Sequence, residues 1–242
     1  PVAWLILGIF TFQSSMAFSN LFSDLVVDQA VGNRLWDVTE KVFSSFRGLL
    51  SQVQQYLYLY IPLLTMGLMS KERNNGSIKL LFSSPITNTQ IILGKYFAMM
   101  IYALVLIAIL FVYAIFGMCT IKDMDVPYVL SGLLGLYLLI CAYAAIGLFM
   151  SSLTSYQVVA AMCTLGLLAV LNFIGGVGQD IPFVRDVTYW LSIRGRSNEL
   201  IGGLICSEDV LYFTIVVVLF LMLSILKLRG ERKKVSRKIV IS

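Results

Sequence analysis

The sequence predicts an all-α integral membrane protein with six transmembrane helices, and three observations predict it. Of 242 residues, 59% are hydrophobic and only 13% charged, with mean hydropathy +0.88. Soluble domains carry about a quarter charged residues. The apolar residues also gather into runs near the length needed to cross a bilayer, about 20 residues for a hydrocarbon core of about 30 Å. Finally, those runs lack the period-two alternation of barrel strands. Helices and closed barrels are the only structures that satisfy the backbone in lipid.

The expected spans are residues 2–18, 50–69, 91–118, 128–150, 158–178 and 210–228 of one transmembrane domain covering 1–242. The second carries Gln52, Gln54 and Gln55 in its first turns, which suit an interface or a protein neighbour and not lipid. Pro62 is expected to kink it. The fourth and fifth are rich in small residues: Ser131, Gly132, Gly135, Ala142, Ala144, Ala145, Gly147, Ala160, Ala161 and Gly166. Such spacing lets helices approach closely, either within the chain or at a dimer seam.

Between the spans, two segments have faces of their own. In NRLWDVTEKVFSSFRGLLS, Leu35, Val38, Val42, Phe46 and Leu49 recur at helical steps behind Asn33 as N-cap. In IPFVRDVTYWL, Pro182 suits a first helical position, and Phe183, Val187, Trp190 and Leu191 share a face. Both read either as amphipathic outer helices resting on lipid or as an outer gate. The gate candidates are Trp36, Phe183 and Trp190.

Orientation follows from Lys and Arg. The tail from Lys227 to Lys238 and the stretch from Lys71 to Lys95 hold 11 of the 18 basic residues. With six spans both fall on one side, which is therefore cytoplasmic, as are both termini. The chain starts at Pro1 and not Met, so a preceding segment is expected.

The residue inventory excludes several chemistries. There is no histidine, and the cysteines Cys119, Cys141, Cys163 and Cys206 form no C-x-x-C, so no metal site is expected. Cys119 and Cys206 sit near the outer span ends, where a pairing stays open. No basic patch is interleaved with aromatics, which excludes nucleic acid as a partner. Gly94-Lys95 is not a P-loop: Thr89 stands where the first glycine belongs, and Tyr96 follows the lysine. No Asp or Glu lies within the spans, which argues against an ion-coupled carrier and places the energy source outside this chain.

The stretch KERNNGSIKLLFSSPIT, residues 71–87, is longer than a plain membrane loop needs. Pro85 restricts Ser84 to extended geometry, so a helix over about 75–83 should stop there. Thr87 followed by Gln90 forms a capping box that opens the third span. The short helix points Ile78, Leu81 and Phe82 one way and Lys79 another. It could rest on membrane lipids, its cations among anionic headgroups, or insert its apolar face into a cytoplasmic partner.

With its flanks, this stretch resembles the ABC-2-type transporter permeases. The matching residues are Glu72, Arg73, Gly76, Ser77, Leu80, Leu81 and Pro85, followed by Gly94 and Lys95 at the start of the third span. The six-span plan and SIRGRSNELIGGLICSEDVLYF match as well. Within the family the chain looks most like the gliding-motility-associated permeases of Bacteroidetes-type bacteria.

The resemblance implies a type V exporter-like permease in the bacterial inner membrane. It implies a dimer with a second permease subunit, driven by a separate cytoplasmic ATP-binding-cassette ATPase. That partner would bind the ATP and Mg; this chain would bind no cofactor and be no enzyme. Residues 71–87 would be the coupling helix, with Glu72 and Arg73 in ion pairs at the rim, Leu81 and Phe82 in the partner's pocket, and Ile78 on the same face. The long segment after the first span leaves room for an outer accessory protein. The alternative is a non-transporting scaffold or mechanotransmitter moved by the same ATPase.

Overall fold

A computed structural model describes residues 2–30, 42–43, 48–84, 86–120, 125–174, 188, 192–203 and 206–241. The gate candidates Trp36, Phe183 and Trp190, the N-cap candidate Asn33, and Pro85 lie outside the described residues.

The described residues form nine helices and no strand. In chain order they are α1 (Val2–Ala30), α2 (Leu49–Thr65), α3 (Ser70–Asn74), α4 (Ile78–Ser83), α5 (Asn88–Thr120), α6 (Val126–Leu153), α7 (Gln157–Phe173), α8 (Ile193–Ile201) and α9 (Ser207–Ile241). By length and composition, α1, α5, α6 and α9 suffice to cross a membrane. The other two expected spans are 17-residue helices, α2 and α7. Helix α2 stops at Thr65, short of the expected 69, and residues 66–69 form turns. Helix α6 is the most enclosed, with 72% of its most apolar window buried against 22–28% for the other three. It is therefore the core helix, and α1, α5 and α9 keep open apolar faces.

The chain divides into two compact units. The first comprises 1–57, 103–139 and 171–210. Here Phe18 and Phe22 of α1 meet Tyr113 and Phe116 of α5 at centroid distances of 5.4–6.4 Å, the tilted and edge-on geometry that aromatic pairs favour. Helix α8 is capped by the Ser192 hydroxyl, which accepts from Gly195 N at 3.3 Å. Its Ser197 hydroxyl accepts from Gln54 Nε2 at 2.7 Å, so one of the three glutamines of α2 faces protein. Gly132 and Gly135 make room on α6 for Leu50 and for the end of α8. Arg196 of α8 pairs with Asp209 of α9 at 2.7 Å, both nearly inaccessible.

The second unit comprises 58–102, 140–170 and 211–242. Tyr58 of α2 donates to the Leu165 carbonyl of α7 at 3.0 Å, and Tyr96 of α5 to the Cys141 carbonyl of α6 at 3.3 Å. Phe149 of α6 meets Phe220 of α9 at 5.7 Å. Gly147 of α6 sits directly against Thr65 of α2. Gly132, Gly135 and Gly147 thus serve packing within the chain, whereas Gly166 faces open space. Cys119 and Cys206 are separate thiols.

Candidate partner-docking segment

Residues 66–88 lie wholly in the second unit. Helix α2 cannot continue to α3 as one helix, because 66–69 turn, and the freed backbone groups need partners. One side chain supplies three of them. The Ser151 hydroxyl of α6 accepts from Met69 N at 3.0 Å and Ser70 N at 3.1 Å, and donates to the Met66 carbonyl at 2.9 Å.

Helix α3 carries Glu72 and Arg73, and both find partners in the chain itself. Glu72 Oε1 lies 2.5 Å from Lys95 Nζ, and the same ammonium donates to the Leu68 carbonyl. Arg73 meets Glu231 of α9 at 2.5 Å, and Lys227 approaches the same carboxylate at 3.9 Å. The family resemblance put Glu72 and Arg73 in pairs at a partner's rim; here they fasten α3 to α5 and α9. Lys95 is the fastening cation. Gly94, beside it, is exposed and would meet nothing with a Cβ, so packing does not demand a glycine there.

Helix α4 begins at Ile78 and not at 75. The cause is Gly76, whose φ of +71° is left-handed and ends α3 in a turn through Ser77. At its other end Ser84 is extended, with φ −75° and ψ 149°, as expected before a proline. The capping box is formed: Thr87 N donates to Gln90 Oε1 at 3.0 Å, and Gln90 N to Thr87 Oγ1 at 3.3 Å.

The two faces of α4 differ in exposure. Ile78, Leu81 and Phe82 are half-buried, while Leu80 is 74% exposed. The face spaced at three and four residues turns toward its own chain, and the opposite face presents Leu80 and Ser83.

The sequence reading missed Arg232. Its guanidinium donates to the carbonyls of Ile86 at 2.9 Å, Phe82 at 3.1 Å and Ser84 at 3.2 Å, and to Asn88 Oδ1 at 3.1 Å. In the sequence Arg232 counts only as one cation of the orienting basic tail. A lone acid inside that basic run was the available signal. Among the described residues no cluster of acids, cysteines and histidines could hold a metal.

This is a short, partly exposed helix tied to two long apolar helices. Residues 2–181 match the family described as ABC-2 family transporter protein. The chain belongs to that family. Neither the curated proteins nor the solved structures contain a match. As a family member the chain is a transmembrane permease of an ABC transporter, a multi-pass protein of a type that works with an ABC ATPase. The permeases of this family are typically the non-catalytic membrane subunits.

Proposed function

We propose that the permease exports its substrate from the bacterial cytoplasm across the inner membrane, driven by a separate cytoplasmic ATPase docked on residues 71–87. The observation that carries this reading is Leu80: a large apolar side chain, 74% exposed, on the short helix α4, whose end is held by Arg232 and whose neighbour α3 is held by two charged pairs. An open leucine on a fixed polar loop fits a small apolar recess in a partner.

The charge distribution supports the orientation. The unit holding this segment carries eleven Lys and Arg against two Glu, a net of +9. The other carries seven basic residues against eleven acids, a net of −4. Excess positive charge beside membrane-crossing helices marks the cytoplasmic side. The exposed apolar faces of α1 and α5, with Trp4, Phe12, Ile101 and Val112 among them, suit lipid and a second permease subunit. A role in gliding motility belongs to this proposal through the narrower likeness alone. ATP and Mg would be bound by the ATPase.

The test is affinity purification of the full chain from its own membranes in mild detergent. A stoichiometric P-loop ATPase should accompany the wild-type chain. Leu80→Glu should lose it, because docking would bury an unpaired carboxylate. Leu81→Glu should weaken capture less directly, by disturbing the seat of α4. Undiminished capture by Leu80→Glu would refute docking at this helix.

A further inference from the structure

We propose that Arg232 and Glu231 of α9 are positioning residues that fasten the docking segment to the last long helix, so that the two move as one body. This deepens the docking reading above and rests on it for its purpose, not for its geometry.

The geometry is specific. One nitrogen of the Arg232 guanidinium serves Ile86 and Asn88, and the other serves Phe82 and Ser84. A single side chain thereby binds the last turn of α4, the linker beyond it and the first residue of α5. Glu231, the preceding residue, points about 100° away around the helix. It takes Arg73 on the far side of the Gly76 turn. Helix α9 therefore grips the segment at both ends, through residues 144 to 158 positions away in the chain. Guanidinium suits this task because its planar fork serves two acceptor pairs at once, which an ammonium cannot do.

The bonds suit positioning better than bracing. All four Arg232 contacts are part-buried or exposed. Water can replace the guanidinium at those carbonyls, so their net worth to folding is small. What their loss removes is the fixed placement of α4 against α9. Helix α9 then runs unbroken from Ser207 to Ile241, so a push on α4 reaches an apolar helix of membrane-crossing length without passing through a flexible joint.

The test uses spin labels on Ser83→Cys and Lys233→Cys, both exposed, in a chain whose Cys119, Cys163 and Cys206 are serine. In nanodiscs the wild-type background should give one narrow distance distribution. Arg232→Ala and Arg232→Lys should both broaden it, and Arg73→Gln should broaden it with Arg232 intact. An unchanged narrow distribution in Arg232→Ala would overturn the proposal. The second measurement adds the co-purifying ATPase with nucleotide and moves one label, pairing Tyr156→Cys with Lys233→Cys. Nucleotide should shift that distance in the wild-type background. In Arg232→Ala the ATPase should remain bound and hydrolyse ATP while the shift is lost, an outcome that a purely structural role would not produce. A shift that persists in Arg232→Ala would also overturn the proposal. If no ATPase co-purifies, the docking reading fails, whereas the first measurement still decides the clamp.

Discussion

Lys95 of α5 holds two groups that the end of α2 and the start of α3 leave exposed: the Glu72 carboxylate at 2.5 Å and the Leu68 carbonyl. The pair is neither open nor sealed, with 20% and 29% of the two side chains accessible. Lys95→Met should therefore destabilise by about 1–2 kcal/mol, between the worth of an exposed pair and the cost of breaking a buried one. Glu72→Gln should cost less, because its amide oxygen still accepts from Lys95. Apparent unfolding midpoints in detergent should rank wild type, Glu72→Gln, then Lys95→Met; a wild-type midpoint for Lys95→Met would show that the contact fixes nothing.

Arg196 and Asp209 should behave differently. Their side chains are 4% and 2% exposed, and the pair closes at 2.7 Å. Removing either partner strands a buried charge, so Arg196→Met or Asp209→Asn should each cost about 3–5 kcal/mol. The combination Arg196→Met/Asp209→Asn should cost clearly less than the two single changes together, because neighbours in one network couple. A double-mutant cycle on unfolding midpoints reads this directly, and strict additivity would contradict it.

Ser151→Ala should leave the amides of Met69 and Ser70 without the acceptor they share. The expected loss is about 1–3 kcal/mol, the cost of stranding buried donors. Hydrogen exchange should speed up at residues 69 and 70 and stay unchanged in the middle of α6.

On the glycines, a Cβ at Gly135 would stand 2.7 Å from Leu200 Cβ, whereas one at Gly166 would meet nothing within 4 Å. Gly135→Ala should therefore cost about 1–3 kcal/mol through overpacking. Gly166→Ala should be neutral or gain about 0.5–1 kcal/mol from the better helix former. Thermal unfolding of the two variants side by side checks the contrast.

These expectations show which parts of the structure were legible in the sequence. Helices announced themselves by apolar run length, and the Thr87–Gln90 box and the extended Ser84 by local chemistry, because each depends on residues a few positions apart. The end of α2 was not legible: Met66 to Met69 are apolar enough to continue a span, and what stops them is a serine 82 positions further on. The most exposed residue of α4 was not legible for a related reason. Periodicity finds a face, but whether Ile78, Leu81 and Phe82 look outward or inward depends on what packs against them. Arg232 was invisible as a clamp because three of its four acceptors are backbone carbonyls, which leave no mark on side-chain patterns.

The two glutamates of the strongly basic unit are both occupied, Glu72 by Lys95 and Glu231 by Arg73 and Lys227. Among the described residues, what this unit turns to the water is then cationic: Lys71, Arg229 and Lys233 are exposed, and both glutamate side chains are paired. Opposite charge at long range speeds encounter, and dissolved ions screen it over about 10 Å at 0.1 M. Association of a partner with this cationic surface should therefore slow as ionic strength rises, and a partner with acidic residues around its binding site should associate fastest.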